Sequence, residues 1–279
     1  MSDVARDVAA VIVDYHAGEA LSDCVDSLHA NGVQEIVVVE NGEAGSTMPA
    51  LRGQRIVLVE PNMNLGYGRG VNRGAAVATR RQYLLVSNPD VVIHPGAVEA
   101  MTRFLDEHAD VAIVGPQIRR ADGTVYPSQR VFPNVWLAGL HALLAPLWPA
   151  NPATRRYRSP RENGSVDWVS GAIFLIRRDA FEDVGGFDER YFMFAEDMAL
   201  CWQLAQHGYG VAATDEAVVT HIEGLSRARA SRAMIIAHHR SALRFEWQTS
   251  HGWRRVLAPL ATLVLGVRLV VVLIVRPAL

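Results

Sequence analysis

The chain has 279 residues, of which 20% are charged, and a formal net charge of −2; that length suits one full-cored domain with an appendage, and the charge balance excludes a nucleic-acid partner recruited by bulk electrostatics. All 27 basic side chains outside histidine are arginine, which excludes lysine-dependent chemistry such as a Schiff base or a P-loop. Cys24 and Cys201 lie in apolar helical patterns and read as buried thiols of a reducing compartment, not as a disulfide framework.

The N-terminal stretch MSDVARDVAAVIVDY is too polar before its apolar run, and the run too short, to read as a secretory signal. Residues 8–13 form a continuous apolar run ending at Asp14-Tyr15, and residues 18–30 place Leu21, Cys24, Val25 and Leu28 at helical spacing; this predicts strand, then helix. EIVVVE (35–40) is a second strand, closed by the turn signal Asn41-Gly42, and RIVLVE (55–60) a third. The run PNMNLGYGRGVNRG (61–74) then opens a helix with glycines, which suit either close approach of backbone to a ligand or close packing. Their spacing is not G-x-G-x-x-G, so no dinucleotide fingerprint is present.

In YLLVSNPDVVI (83–93) two apolar runs flank the insert Ser87-Asn88-Pro89-Asp90. The first run reads as a buried parallel strand that stops at Pro89, which has no N–H for a ladder. Asp90 then falls beyond the carboxyl end of a central strand, where open α/β sheets keep their ligands. A carboxylate there suits either a divalent metal holding a diphosphate or a simple turn capping the next helix. A helix over 95–107 and a strand over 111–114 follow, and the alternation predicts a mostly parallel, Rossmann-like α/β sheet. Ala121-Asp122-Gly123 is a hairpin-like turn.

The Trp-rich stretch 133–149 reads either as a core helix or as a helix lying against lipid, and Arg155, Arg156, Arg158 and Arg161 after it form a basic loop suited to an anionic head group. Asp167 to Ala172 precede a short strand at 173–176. Glu196-Asp197 opens a helix that Gly208 closes; paired acids at a helix N-terminus compensate its dipole, but the aromatic flank Tyr191-Phe192-Met193-Phe194 implies burial, which gives such a carboxylate a task or a partner. Strands at 209–214 and 217–220 lead to His221 and a polar loop. Residues 231–253 are amphipathic and arginine-bearing, and 256–275 are apolar except for Arg268, about the length that spans a bilayer core. Basic residues clustered before such a segment read as facing the cytoplasm. Pro259 and Arg268 are equally compatible with a helix lying in the interface or packing against a second subunit.

Taken together, Val13-Asp14-Tyr15, Glu40-Asn41-Gly42, the run 64–72 (NLGYGRGVN), Asn88-Pro89-Asp90, Trp168-Val169-Ser170-Gly171-Ala172, Gly186-Phe187-Asp188 and Glu196-Asp197 resemble, in order and spacing, the motifs of inverting family-two glycosyltransferases with the GT-A fold. Within that family the chain is most similar to rhamnosyltransferases. The resemblance implies a transferase domain over 1–228 and a membrane-associated extension over 229–279, with dTDP-rhamnose as donor and a polyprenyl-diphospho-N-acetylglucosamine as acceptor. It implies donor binding by Asp14, Glu40, Asn64, Gly66, Gly68 and Asn88, and Mg2+ or Mn2+ on Asp90 with His221. It also implies acceptor binding by Trp168, Gly171 and Ala172, with Asp197 as general base beside Glu196; Trp168 reads equally as a core tryptophan. Two positions depart from the pattern: Glu40 stands for an Asp, and Asn88 replaces the first acid of the Asp-x-Asp turn, leaving Asp90 its one strong ligand. Those departures keep open a membrane-attached scaffold on a degenerate transferase fold, and the donor could equally be a galactofuranose or hexose nucleotide. A nucleotidyltransferase is disfavoured, since residues 16–22 (HAGEALS) carry no Gly-rich basic loop.

Overall fold

The computed structural model describes residues 7–42, 45–47, 51, 53–79, 81–132, 148, 150–152, 154–155, 166–222 and 232–275. The Trp-rich stretch 133–149, apart from residue 148, Arg156, Arg158, Arg161 and the loop after residue 222 lie outside the described residues.

The elements in chain order are β1 (Val8–Asp14), α1 (Glu19–Ala30), β2 (Glu35–Glu40), β3 (Val57–Val59), α2 (Tyr67–Val77), β4 (Tyr83–Ser87), β5 (Val91–Ile93), α3 (Ala97–Glu107), β6 (Val111–Arg120), β7 (Gln129–Arg130), β8 (Trp168–Val169), β9 (Ile173–Arg177), α4 (Arg178–Asp183), α5 (Glu196–Gln206), β10 (Gly210–His221), α6 (Arg232–Thr249) and α7 (Trp253–Val275). Eight strands form one sheet in the order β3-β2-β1-β4-β9-β6-β10-β5, with β7 and β8 as a separate ribbon. β3, β2, β1 and β4 run parallel, as do β6 and β10. The sheet is thus mostly parallel, as the alternation implied, but β9 is inserted antiparallel between β4 and β6, and β5 runs antiparallel to β10. Both faces are covered: α1 and α3 lie over one, with Leu21, Leu28, Val98 and Met101 buried, and α2, α4 and α5 over the other, with Val71, Phe181 and Leu200 buried.

One sequence expectation changes here. The runs 209–214 and 217–220 are one strand, β10, whose pairing with β6 slips between Thr214 and Val218. The bulge accommodates the exposed Asp215 and Glu216 and re-aims the rest of the strand onto β5. The apolar run after Asp90 is the short edge strand β5, pairing Val91 with His221.

Helix α2 sits unusually close to the sheet. A methyl group on Gly74 would lie 2.5 Å from Val11 Cγ1 and 2.9 Å from Val39 Cγ2. The glycine run is therefore first a packing face, cut to seat the helix on β1 and β2. Gly74→Val should lower unfolding free energy by about 1–3 kcal/mol through overpacking, measured by urea denaturation; an unchanged midpoint would show that α2 lifts at little cost.

Candidate active site

The site forms at the carboxyl ends of β1, β2 and β4, where the N-terminus of α5 and the end of β10 meet them. β1 and β2 end in register at Asp14 and Glu40, and both carboxylates are buried. Asp14 accepts from the Ala17 N–H (3.0 Å) and the Thr47 hydroxyl (2.7 Å). Glu40 accepts from the N–H groups of Gly45 (2.8 Å) and Thr47 (2.6 Å) and from the Ser46 hydroxyl (3.3 Å). Burial pushes the Glu40 carboxyl up, but these donors outweigh it and hold it below the usual range. The two acids thus share Thr47, a residue sequence reasoning missed. Its signal was only the small polar run Gly45-Ser46-Thr47 after β2.

The glycine run does not lie open to a ligand as one sequence reading had it. Gly66, at φ 81°, lets the Phe192 backbone come so close that its carbonyl accepts the Tyr67 N–H at 3.1 Å, and a Cβ on Gly68 would meet Phe187 Cβ at 2.9 Å. Phe192 and Phe187 fill the space that these glycines create. Asn64 Oδ1 accepts from the Gly66 N–H (2.9 Å) and from Asn41 Nδ2 (3.2 Å), while Asn41 Oδ1 accepts from the Leu65 N–H (2.7 Å). Asn72 grips Phe187 through both its N–H and its carbonyl, each at 2.9 Å. The run 64–72 is a socket for the segment that carries the acid pair.

That segment is strained. Phe194 and Ala195 adopt left-handed backbone, φ 68° and 61°, which for non-glycine residues costs roughly 1–3 kcal/mol each and concentrates at functional sites. Immediately after them, Glu196 and Asp197 begin α5. Asp197 Oδ2 accepts the Gly171 N–H at 2.8 Å and Oδ1 the Met198 N–H at 2.8 Å. Glu196 is buried and its Oε2 has no hydrogen-bond partner among the described residues. Burial raises both carboxyls, and the neighbouring Asp197 charge raises Glu196 further. The two N–H donors, and the Arg130 guanidinium, favour the ionised form of Asp197. Glu196 has no such donors on its Oε2, so the pair is asymmetric in hydrogen bonding: Asp197 is held as an acceptor and Glu196 is not.

Gly171 joins the acid pair to the other half of the site. Its carbonyl accepts the Tyr67 hydroxyl at 2.6 Å, and the next carbonyl, of Ala172, accepts the Asn88 N–H at 2.7 Å. Burial and then the charges of Glu196, Asp197 and Asp90 push the Tyr67 phenol well above its ordinary value, so it acts here as a neutral donor beside all three acids. Asn88 thus positions the turn through its backbone. Asp90 is buried, and the β10 bulge brings His221 to it, Nε2 to Oδ1 at 3.0 Å. Trp168 does not offer a sugar platform: it is buried, its indole N–H donates to the Val131 carbonyl at 3.2 Å, and the Arg130 guanidinium covers its ring at 5.2 Å.

A divalent cation would fit the Asp90–His221 end. A buried carboxylate and an imidazole nitrogen meet there, and His221 Nδ1 has no partner among the described residues. No three His, Cys, Asp or Glu residues gather into a ligand cluster among the described residues, so a cation held there would draw its remaining ligands from diphosphate oxygens and water, the usual arrangement for Mg2+ on nucleotide substrates.

The sequence matches the family Glycosyltransferase like family 2 over residues 5–242, and the chain belongs to that family. It is 36% identical, over 93% of its length and 89% of the relative's, to the N-acetylglucosaminyl-diphospho-decaprenol L-rhamnosyltransferase of Mycobacterium tuberculosis (strains CDC 1551 / Oshkosh and H37Rv). Its fold is GT-A. The mannosyltransferase PcManGT from Pyrobaculum calidifontis, solved with GDP-Man and Mn2+, superposes over 98% of this chain and 76% of its own, with a TM-score of 0.61 at 15% identity. GalNAc-T7, solved with UDP, GalNAc and Mn2+, covers 78% of this chain and 43% of its own, with a TM-score of 0.59 at 16% identity.

The buried acid pair gives stability a particular pH dependence. Glu196 has a folded pKa above its unfolded one, so its contribution is fully present below the ordinary carboxylate range and is lost as pH rises through the raised value. Glu196→Gln should therefore gain stability relative to wild type between pH 5 and pH 9, in urea denaturation at each pH. Parallel curves for the two proteins would place the proton elsewhere.

Proposed function

We propose that the chain transfers L-rhamnose from dTDP-rhamnose to a polyprenyl-diphospho-N-acetylglucosamine, with inversion at the anomeric carbon. The relative that is 36% identical across nearly the whole chain supports the substrates. The observation that carries the mechanism is the Asp197 carboxylate, held by two backbone N–H groups opposite the Asp90–His221 pair, with Gly171-Ala172 between them.

In this reading Asp14 and the 45–47 loop that Glu40 holds form the floor for the nucleotide base and ribose, with Asn64 at the rim. Asp90 and His221 would hold Mg2+ or Mn2+, which would offset charge on the departing diphosphate. Gly171 and Ala172 line the approach of the acceptor sugar. Asp197 takes the proton of the acceptor hydroxyl as its oxygen bonds to the anomeric carbon and the bond from that carbon to the dTDP oxygen breaks. One carboxylate suffices for a single displacement, whereas retention by double displacement would need a nucleophile too. Asp197, the acid of the pair that two backbone N–H groups hold in place, is the base, and Glu196 is its neighbour. Residues 1–228 carry the transfer and 229–279 the membrane-facing extension, at the cytoplasmic face where basic residues precede the apolar helix.

The test is transfer of radiolabelled rhamnose from dTDP-rhamnose to a polyprenyl-diphospho-N-acetylglucosamine acceptor, with and without EDTA. Asp197→Asn should lower turnover by about a hundred- to ten-thousand-fold while keeping donor binding; wild-type turnover in a folded variant would remove Asp197 as base. EDTA should abolish product, and His221→Ala should raise the Mn2+ concentration needed to restore it by roughly ten- to a hundred-fold, the loss typical of a weakened metal shell. Unchanged Mn2+ dependence would leave His221 as a hydrogen-bonded neighbour of Asp90 only.

A further inference from the structure

Helix α7 has 23 residues and is about 35 Å long, and over Arg255–Ile274 it is long and apolar enough to cross a bilayer. Its two faces differ. One packs on α6: Ala258 and Ala261 are buried, and the Trp247 indole of α6 donates to Thr262 Oγ1 at 3.1 Å. Burial, then the charge of His239, and least that of Arg268 hold His238 below its ordinary value; with Trp247 bonded to Thr262, this pairs the start of α6 with the far part of α7, so the two helices run antiparallel. On the opposite face Val256, Leu260, Leu263, Val267, Val270 and Ile274 are all exposed, Val256 at 79% and Ile274 at 72%. They recur at alternating steps of four and three, which keeps them on one side of the helix from end to end. At about 100° per residue, the exposed Arg255 and Arg268 fall on opposite flanks of the helix, roughly a quarter to a third of a turn from the centre of that stripe.

We propose that this stripe docks in the plane of a membrane leaflet, with its apolar side chains among the acyl chains and the two flanking arginines on anionic head groups, and that α7 does not span the bilayer. A spanning helix would carry α6 with it, and α6 bears the exposed Arg240 and Arg244; charges of that kind are excluded from lipid-facing positions in the hydrocarbon. A helix lying at the surface keeps α6 on its aqueous side. Basic residues flanking a broad apolar face are the composition of interfacial helices, whose arginines reach back to the phosphates. α6 in turn is fastened to the body. Its Ser241 hydroxyl donates to the Met193 carbonyl at 2.8 Å and its Gln248 accepts the Tyr191 hydroxyl at 2.8 Å. The strained segment leading into Glu196-Asp197 is therefore bonded to the helix that backs the docking face. The docking face is independent of which sugar is moved.

The test uses the full chain with neither donor nor acceptor, so its failure leaves the transfer reaction untouched and failure of transfer leaves docking untouched. The protein should float with phosphatidylcholine vesicles containing phosphatidylglycerol, and less with phosphatidylcholine alone. The double variant Leu263→Glu/Val267→Glu should lose flotation by about tenfold or more with an unchanged circular dichroism spectrum. Arg255→Gln/Arg268→Gln, which leaves the stripe intact, should keep flotation and lose the preference for anionic lipid. Because Cys24 and Cys201 are buried, single cysteines introduced at 256, 263 and 270 can carry a fluorophore quenched by nitroxide lipids of known depth. Equal, shallow depth at all three positions is the expected result. A depth that changes steadily along the helix would overturn docking in favour of a span. No flotation, with a wild-type dimer that Leu263→Glu/Val267→Glu splits in light scattering, would assign the stripe to a second copy of the chain.

Discussion

Two adjacent carboxyl groups are buried at the start of α5, and much of the structure serves to make that tolerable. A buried carboxylate without donors is costly; Asp197 is given the Gly171 and Met198 N–H groups, while Glu196 is left to favour its neutral form. Presenting them requires Phe194 and Ala195 in left-handed backbone, which persists only because the surroundings over-determine it. The surroundings are identifiable. Gly66 admits the Phe192 carbonyl, Asn72 clamps Phe187, and Ser241 of α6 holds Met193.

The same logic explains why the sheet is mixed. A purely parallel sheet would place strand ends in a row but would not bring a loop from the far side back across them. β9, running against β4, delivers Gly171 and Ala172 to the mouth of the site, where they bond Asn88 on one side and Asp197 and Tyr67 on the other. The bulged β10 does the equivalent for His221, turning it onto Asp90. Asn88 in place of an acid lowers the charge of this turn, and its backbone N–H still holds the turn to Ala172.

The helix hairpin adds a third layer to the sheet and its covering helices. α6 contacts the body through Phe245, Ser241 and Gln248, and α7 contacts α6. Body, bracket and outer helix form a stack in which the apolar stripe faces away from the acid pair's own segment by one helix only. A lipid-borne acceptor would meet such an arrangement from the membrane side.

Much of the skeleton was determined by sequence alone. Continuous apolar runs fixed β1, β2 and β4, because a strand buried on both faces admits nothing else, and the polar residues at or just beyond their ends, Asp14, Glu40 and Asp90, fell where parallel strands keep ligands. The aromatic flank announced the burial of Glu196 and Asp197. Tertiary structure alone decided what those residues touch. The glycines of 64–74 suited either a ligand or close packing, and the fold decided for packing: their space is taken by Phe187, Phe192 and the valines of β1 and β2, partners far away in the chain. Trp168 read equally as an acceptor platform or a core tryptophan, and packing made it core. Thr47 and Arg130 carry no motif, and Tyr67 lies in the 64–72 run with no role assigned to it there; only folding sets the three beside the acids. The pairing of His221 with Asp90 depends on a bulge whose register is set by neighbouring strands. Local patterns specify which surfaces must be buried; which groups then meet is fixed by long-range packing, and no spacing along the chain encodes it.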